Sequence, residues 1–382
     1  MLIQPSKFQN LFIIVTIFSI FISFFSPVIV SKNPSVLNIY NENEFTVNYT
    51  KREYKVKTSD GIPITFVRYI GWRKPSIILI HGMGGNHRMF DWDENHSLAR
   101  FLNKKGWDVW LLNLRTNDDD GDFLFDRNCN LEYINRYWDF DRTLLKKDVV
   151  KAVNFVTQKT QNDKVILGGH SYGGYLAYAY SMLIGEENLA GLITTGASPY
   201  SNPRCFNPGK LEMLKYGFYF GKKAYVNPFG MPRTYFKKID AILYRKHWKP
   251  TANALFYYNT TPGYIQKEIS FHVNSDPAGV YVDMYFGKNP DKYGGDWVDP
   301  QTLYNYSANL DKITVPIIFL AGENDTQDPS DDIYRAFENV SSNEKQFFSF
   351  TNHSHMDLLW GRYSYNIIFP KIEKFCEKIE ID

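Results

Sequence analysis

Continuous apolar runs alternate with amphipathic stretches along residues 55–200 of the chain. Four runs rich in β-branched and aliphatic residues are typical of strands buried on both faces: "PSIILIHGMGG", "DVWLLNLRTN", "KVILGG" and "LAGLITTGASP". The stretches "SLARFLNKKGW" and "RTLLKKDVVKAVNFVTQKT" between them have the spacing of amphipathic helices. This alternation predicts an α/β domain in which a mostly parallel central sheet is flanked by helices.

A hairpin is expected at the start of this domain. The stretch "YKVKTSDGIPITFVRYI" places two β-rich segments on either side of Asp60-Gly61, a dipeptide favoured in tight turns. We therefore expect residues 51–200 to form the first part of the core.

The alternation stops after residue 200 and returns only with "VPIIFLAG" near residue 315. The interval is rich in Tyr and Phe and is too long for a bare loop. We predict a mainly helical cap over residues 201–311, inserted into a core that resumes over residues 312–382. A second independent domain is the alternative.

The amino terminus carries an uncharged apolar segment, "LFIIVTIFSIFISFFSPVIV", from Leu11 to Val30. Its length suits a membrane span, whereas Pro27 and the small residues Ser26 and Ser31 suit cleavage as a signal peptide. Residues 1–31 are therefore predicted to be a membrane anchor or a signal peptide, followed by a polar linker over residues 32–50. Either interpretation implies a membrane-anchored or exported protein.

Net charge and sequence motifs limit the classes of molecule that the chain is expected to bind. The 382 residues carry a formal net charge of +2, which gives no steering field for nucleic acid. Dinucleotide and P-loop motifs are absent from the sequence, and "TNDDDGDFLFDR" has Thr116 and Arg127 where a calcium loop needs carboxylates. We expect no cofactor, no metal and no obligate protein partner.

The chain contains three cysteines, Cys129, Cys205 and Cys376. They are too few and too scattered for a disulfide framework or a thiolate zinc site, so we interpret them as buried, reduced thiols. A single Cys129–Cys205 bridge remains open if the mature chain is exported.

The candidate chemistry lies in Gly169-His170-Ser171-Tyr172-Gly173, between a predicted strand and a predicted helix. Flanking glycines allow a sharp strand-to-helix turn that exposes the serine at its apex. A serine hydroxyl is a weak nucleophile, so it needs a histidine base and a carboxylate that orients the base.

Candidates for both partners follow the resumed strand pattern. Asp325 lies three residues after Gly322 at a predicted strand end, whereas Asp328 and Asp331 are expected to be solvated loop or helix-cap residues. His353 and His355 both follow "KQFFSF", and if the chain is extended there, they project to the same side. Spacing alone does not decide between the two histidines.

Several stretches in this order resemble the α/β-hydrolase superfamily, and within it the lysosomal and gastric acid lipases and related bacterial hydrolases. They are "NHSLARFLNKKGWDVWLLNLRTN", "YWDFDRTLLKKDVVKAVNFV", "GHSYGG", "DPAGV", "VPIIFLAGENDTQDP" and "HMDLLWG". The resemblance implies an α/β-hydrolase fold with a triad of Ser171, Asp325 and His355. It departs from those lipases after the serine, where they usually have glutamine and this chain has Tyr172.

The resemblance also implies an oxyanion hole made of backbone N–H groups. One donor is Tyr172, and the other is Met83 in the loop His81-Gly82-Met83-Gly84-Gly85. We expect His81 to be a structural hydrogen-bonding residue rather than a base.

These features together predict a serine hydrolase that cleaves carboxylic esters through an acyl-enzyme. Lipids or other apolar acyl esters are the favoured substrates, because the predicted cap is aromatic and the amino terminus is directed to membranes. A thioesterase, a peptidase or a polyester-related hydrolase on the same fold is the alternative, and a non-catalytic binding protein that retains the fold is a further one.

Overall fold

The computed structural model describes residues 49–115, 139–200, 225–226, 255–257, 260–266, 276–277, 283–284 and 287–379. Several predicted features lie outside these ranges: the apolar segment 11–30, the linker up to residue 48, the calcium-like stretch, Cys129, Cys205 and most of the predicted cap. Within them, no helix has both the length and the apolar character that crossing a membrane requires.

The described core is an eight-stranded sheet with the strand order β1-β2-β4-β3-β5-β6-β9-β10. Its strands are β1 Lys51–Lys57, β2 Pro63–Tyr69, β3 Arg73–Ile80, β4 Trp107–Asn113, β5 Val165–His170, β6 Leu189–Thr195, β9 Ile317–Gly322 and β10 Lys345–Phe350. A separate antiparallel pair joins β7 Tyr225–Val226 to β8 Asp276–Pro277.

The sheet is mostly parallel, as the alternating pattern predicts. The predicted hairpin forms the antiparallel pair β1–β2, and β2 also runs antiparallel to β4. In the rest of the sheet, across β4, β3, β5, β6, β9 and β10 in that spatial order, every pairing is parallel. The carboxyl ends of β3, β5, β6, β9 and β10 therefore meet at one edge of the sheet.

Helices cover the sheet between these strands. Their bounds are α1 Leu98–Lys104, α2 Val150–Thr160, α3 Tyr172–Leu183, α4 Pro290–Tyr293, α5 Ser330–Asn339, α6 Asp357–Trp360 and α7 Phe369–Lys378. A π-helical segment precedes α2 at Phe140–Val149 and another precedes α7 at Ser364–Ile368, while tighter 3₁₀ turns form at His87–Phe90 and Ser307–Lys312.

Apolar side chains pack on both faces of the sheet. On β4 every residue is buried, and Trp107 and Trp110 enter the two opposite apolar clusters. This explains why the strand is a continuous apolar run rather than an alternating one. Cys376 is buried on α7 with a free thiol, as predicted.

Candidate active site

Ser171 lies at the sharp turn between β5 and α3. Its φ of 53° and ψ of −118° are rarely adopted by a residue with a side chain. Ser171 N donates to Thr195 O at 2.9 Å, and Ser171 O accepts from Tyr175 N at 3.1 Å. The strained residue is therefore fixed on one side by β6 and on the other by the first turn of α3.

The two glycines of the motif are required by close backbone approach. A Cβ on Gly169 would lie 2.2 Å from the carbonyl carbon of Gly173, and a Cβ on Gly173 would lie 1.9 Å from the carbonyl oxygen of Ile80. Backbone atoms cannot move aside as a side chain can. The helix thus starts directly against β3 and β5 because neither position carries a side chain.

The loop after β3 lies against the serine. A Cβ on Gly82 would be 3.3 Å from Ser171 Cβ. His81 braces this loop, because its Nδ1 is 2.8 Å from Gly82 O and its Nε2 accepts from Leu114 N at 3.3 Å. Burial lowers the pKa of His81 to about 4, so the ring is neutral. Met83 follows Gly82 and is half-buried.

Asp325 and His355 are joined by a hydrogen bond. His355 Nδ1 lies 2.7 Å from Asp325 Oδ2, and both residues are buried. A carboxylate only accepts, so Nδ1 carries the hydrogen and Nε2 has the lone pair. The other carboxylate oxygen of Asp325 accepts from Gln327 N at 2.8 Å and Asp328 N at 3.0 Å.

The pKa of His355 reflects two opposed effects. Burial lowers the pKa of His355. The negative charge and hydrogen bond of Asp325 raise it, and the net shift is upward. Burial raises the pKa of Asp325, and His355 opposes that shift. The pair is arranged to stabilise an imidazolium.

His355 packs beside the residue that precedes the serine. The rings of His170 and His355 have centroids 4.6 Å apart, and a Cβ on Gly196 would lie 3.2 Å from both rings. His170 Nδ1 is 3.0 Å from Thr195 Oγ1, and burial holds the pKa of His170 well below its usual range. His355 thus lies next to the strand-to-helix turn.

His353 faces elsewhere. A turn at residues 351–352 follows β10 and a second turn at residues 355–356 leads into α6, so the two histidines do not continue the strand. The Nδ1 of His353 contacts Thr351 O at 2.8 Å, and its ring lies 5.9 Å from that of Phe350. Of the two histidines, the structure brings only His355 to Asp325.

The sequence predicts Asp328 to be a solvated loop or helix-cap residue, and the structure shows that this is wrong. It is buried, accepts from Ser198 N at 3.0 Å and from the Tyr175 hydroxyl, and its Oδ2 lies 3.9 Å from His355 Nδ1. Tyr175 lies on α3, so Asp328 connects the loop after β9 to that helix. Asp331 lies in the first turn of α5 and is exposed, as expected for a solvated or helix-cap residue.

Asp357 is a site residue that motif reasoning did not single out. It is buried, and its Oδ2 accepts from Ser354 N at 2.8 Å, next to His355. Asp357 also accepts from Tyr257 N at 2.5 Å and Thr261 Oγ1 at 2.6 Å, in the predicted cap. An acidic residue in the apolar stretch "HMDLLWG" was the available signal, because a buried carboxylate needs several donors.

The chain is similar to known hydrolases in sequence. A family model described as alpha/beta hydrolase fold matches residues 75–228. Gastric triacylglycerol lipase of Rattus norvegicus is 23% identical over 353 residues, which cover 82% of this chain and 85% of that protein. Lipase member K of Homo sapiens is 31% identical over 140 residues, which cover 34% of each chain.

The fold is likewise similar to solved structures. A thermophilic esterase from Thermogutta terrifontis superposes with a TM-score of 0.54 at 15% identity, covering 86% of this chain and 99% of that one. At that identity the likeness concerns the fold, and it agrees with the mostly parallel sheet described above.

Proposed function

We propose that this chain, an α/β hydrolase that resembles lipases and esterases, cleaves carboxylic esters with Ser171, His355 and Asp325 as its catalytic triad. The observation that carries the proposal is the 2.7 Å bond between His355 Nδ1 and Asp325 Oδ2 beside the turn that presents Ser171. The order serine, acid, histidine along the chain is the order typical of this fold.

In the proposed acylation, Ser171 Oγ attacks the ester carbonyl carbon. His355 Nε2 takes the hydroxyl proton and then gives it to the departing alcohol oxygen. Asp325 stays ionised, orients the ring through Nδ1 and stabilises the imidazolium. The raised pKa of His355 supports this assignment, because it reports the same stabilisation. Water activated by His355 then clears the acyl group from Ser171.

The negative oxygen that forms during attack needs preorganised donors. We propose the backbone N–H groups of Met83 and Tyr172. Tyr172 is the first residue of α3, and Met83 follows Gly82, on which a Cβ would lie 3.3 Å from Ser171 Cβ. Since both donors belong to the backbone, the departure from glutamine at position 172 leaves this chemistry available.

Esters with apolar acyl chains are the proposed substrates. Support comes from the relative described as a gastric triacylglycerol lipase and from the aromatic residues of the predicted cap. We further propose that segment 11–30 directs the protein to the membrane, as an anchor or as a cleaved signal. A panel of nitrophenyl esters of increasing chain length tests the substrate class, and activity that is flat or falling beyond acetyl esters would indicate a short-chain esterase.

A fluorophosphonate probe tests the nucleophile. We expect the wild-type protein to be labelled and the Ser171→Ala variant to show no labelling while it keeps the same thermal unfolding midpoint. Folded wild-type protein that is not labelled would favour a non-catalytic binding protein.

A further inference from the structure

A second buried carboxylate lies behind the proposed acid. Asp328 Oδ2 is 3.9 Å from the same His355 nitrogen that bonds Asp325. Two carboxylates so close to one imidazole both favour its protonated form, whereas a general base must begin neutral. The base therefore needs a compensating positive charge.

Lys288 supplies that charge from the segment predicted as the cap. Its Nζ lies 3.6 Å from Asp328 Oδ1 and donates to Ser198 O at 2.9 Å and to the Tyr175 hydroxyl at 2.7 Å. The Tyr175 hydroxyl in turn donates to Asp328 Oδ1, and the ammonium lies 4.0 Å from the centroid of the Tyr175 ring. Lys288 is thus held by contacts with the core.

We propose that Lys288 is a positioning residue that holds and neutralises Asp328, so that the cap segment which carries it sets the pH range in which His355 acts as a base. This inference rests on the triad proposed above. It predicts effects of opposite sign from the two members of one ion pair, which a purely structural contact would not give.

Among the residues that the structure describes, the charged and titratable groups that act on His355 are Asp325, Asp328, Lys288 and His170. Burial lowers the pKa of His355, both carboxylates raise it and Lys288 lowers it. Buried His170 is neutral and contributes no charge. Removing Lys288 should raise the pKa of the base, and removing the charge of Asp328 should lower it.

The test is the acid limb of the pH profile of kcat/KM, which reports the base in the free enzyme. We expect Lys288→Met to move this limb to higher pH and Asp328→Asn to move it to lower pH, each by about half to one pH unit. The double variant should return close to wild type. Lys288→Arg keeps the charge and should keep the wild-type profile. Lys292→Met changes an exposed lysine and is the matched control, for which we expect no shift.

The rate of fluorophosphonate labelling over the same pH range provides a second readout. Limbs that stay in place, or that move in the same direction in both single variants, would overturn the inference even if kcat falls. Labelling that survives Ser171→Ala would instead overturn the proposed triad, so the two failures are distinguishable.

Discussion

At the scale of single residues, the two aspartates beside His355 have different contacts and should differ in effect. Asp325 bonds the imidazole directly, so Asp325→Asn should lower kcat by about a thousandfold or more, because the amide disturbs the tautomer and no longer stabilises the imidazolium. Steady-state kinetics with an activated ester at pH 8 measures this.

Asp328→Asn is the matched comparison, since its amide oxygen can still accept from Ser198 N. We expect it to leave kcat at pH 8 within about threefold of wild type, as for groups outside the reacting set. A damaging Asp328→Asn with a harmless Asp325→Asn would show that the acid was assigned to the wrong residue.

The two histidines provide a second test. His355→Ala should lower the acylation rate on the order of a thousandfold or more, as removal of a triad member does. His353→Ala should cause a modest change in the acylation rate, since the hydrogen bond that the structure gives His353 Nδ1 goes to the nearby Thr351 carbonyl. A similar large fall in the acylation rate of both variants, with folding intact, would mean that the two histidines act together and that a triad with one base is incomplete.

Spacing after a strand pattern indicated Ser171 and Asp325 as candidates, whereas only the resemblance to lipases favoured His355 over His353. It placed Asp328 in solvent because nothing local distinguishes a buried carboxylate from a loop carboxylate. Its donors, Ser198 N and the Tyr175 hydroxyl, lie far from it in the chain. Long-range polar contacts of this kind depend on tertiary packing, which one sequence does not encode locally.

At the scale of elements, α3 packs so closely against β3 and β5 that the glycines at this contact leave no space for an added side-chain atom. A Cβ at Gly173 would lie 1.9 Å from the Ile80 carbonyl oxygen, so Gly173→Ala must displace backbone. We expect a loss of about 3 kcal/mol or more of unfolding free energy, at the upper end of overpacking effects. Urea denaturation followed by circular dichroism measures it.

Gly263→Ala is the control for this change, because no atom of the described residues lies within 4 Å of a Cβ built there. Its stability should remain within about 1 kcal/mol of wild type. Equal stability of the two variants would mean that α3 can shift away from β3 at little cost.

The elements themselves were largely predictable. Buried parallel strands read as apolar runs, and the alternation of strand and helix fixed the fold class. The π-helical turns at Phe140–Val149 and Ser364–Ile368 were not foreseen, since an amphipathic pattern does not distinguish the number of residues in one turn. The turns at residues 351–352 and 355–356 were not foreseen either.

At the scale of the whole molecule, Asp283 connects the predicted cap to the core. It accepts from Phe140 N and Gln301 Nε2, both at 3.0 Å, and burial raises its pKa to about 7. A carboxyl whose pKa is raised on folding stabilises the protein at low pH, and this contribution is lost as the pH rises toward 7.

Asp283→Asn should remove this pH dependence. The difference in unfolding free energy, variant minus wild type, should increase by about 1–3 kcal/mol from pH 5 to pH 8, because the wild type loses the contribution of Asp283 and the variant does not. Denaturation curves at the two pH values measure the difference, with exposed Asp311→Asn as a control that loses the same formal charge. A difference that does not change with pH would contradict the prediction.

The strand order has a consequence for the timing of synthesis. The strands β6 and β9 pair side by side although residues 196–316 lie between them in the chain. A growing chain therefore completes the strand before Ser171 long before β9 and β10, after which Asp325 and His355 follow. Until those last strands pair with the sheet, the nascent protein carries Ser171 without its proposed acid and base, so we expect ester cleavage to begin only after residue 355 has been translated.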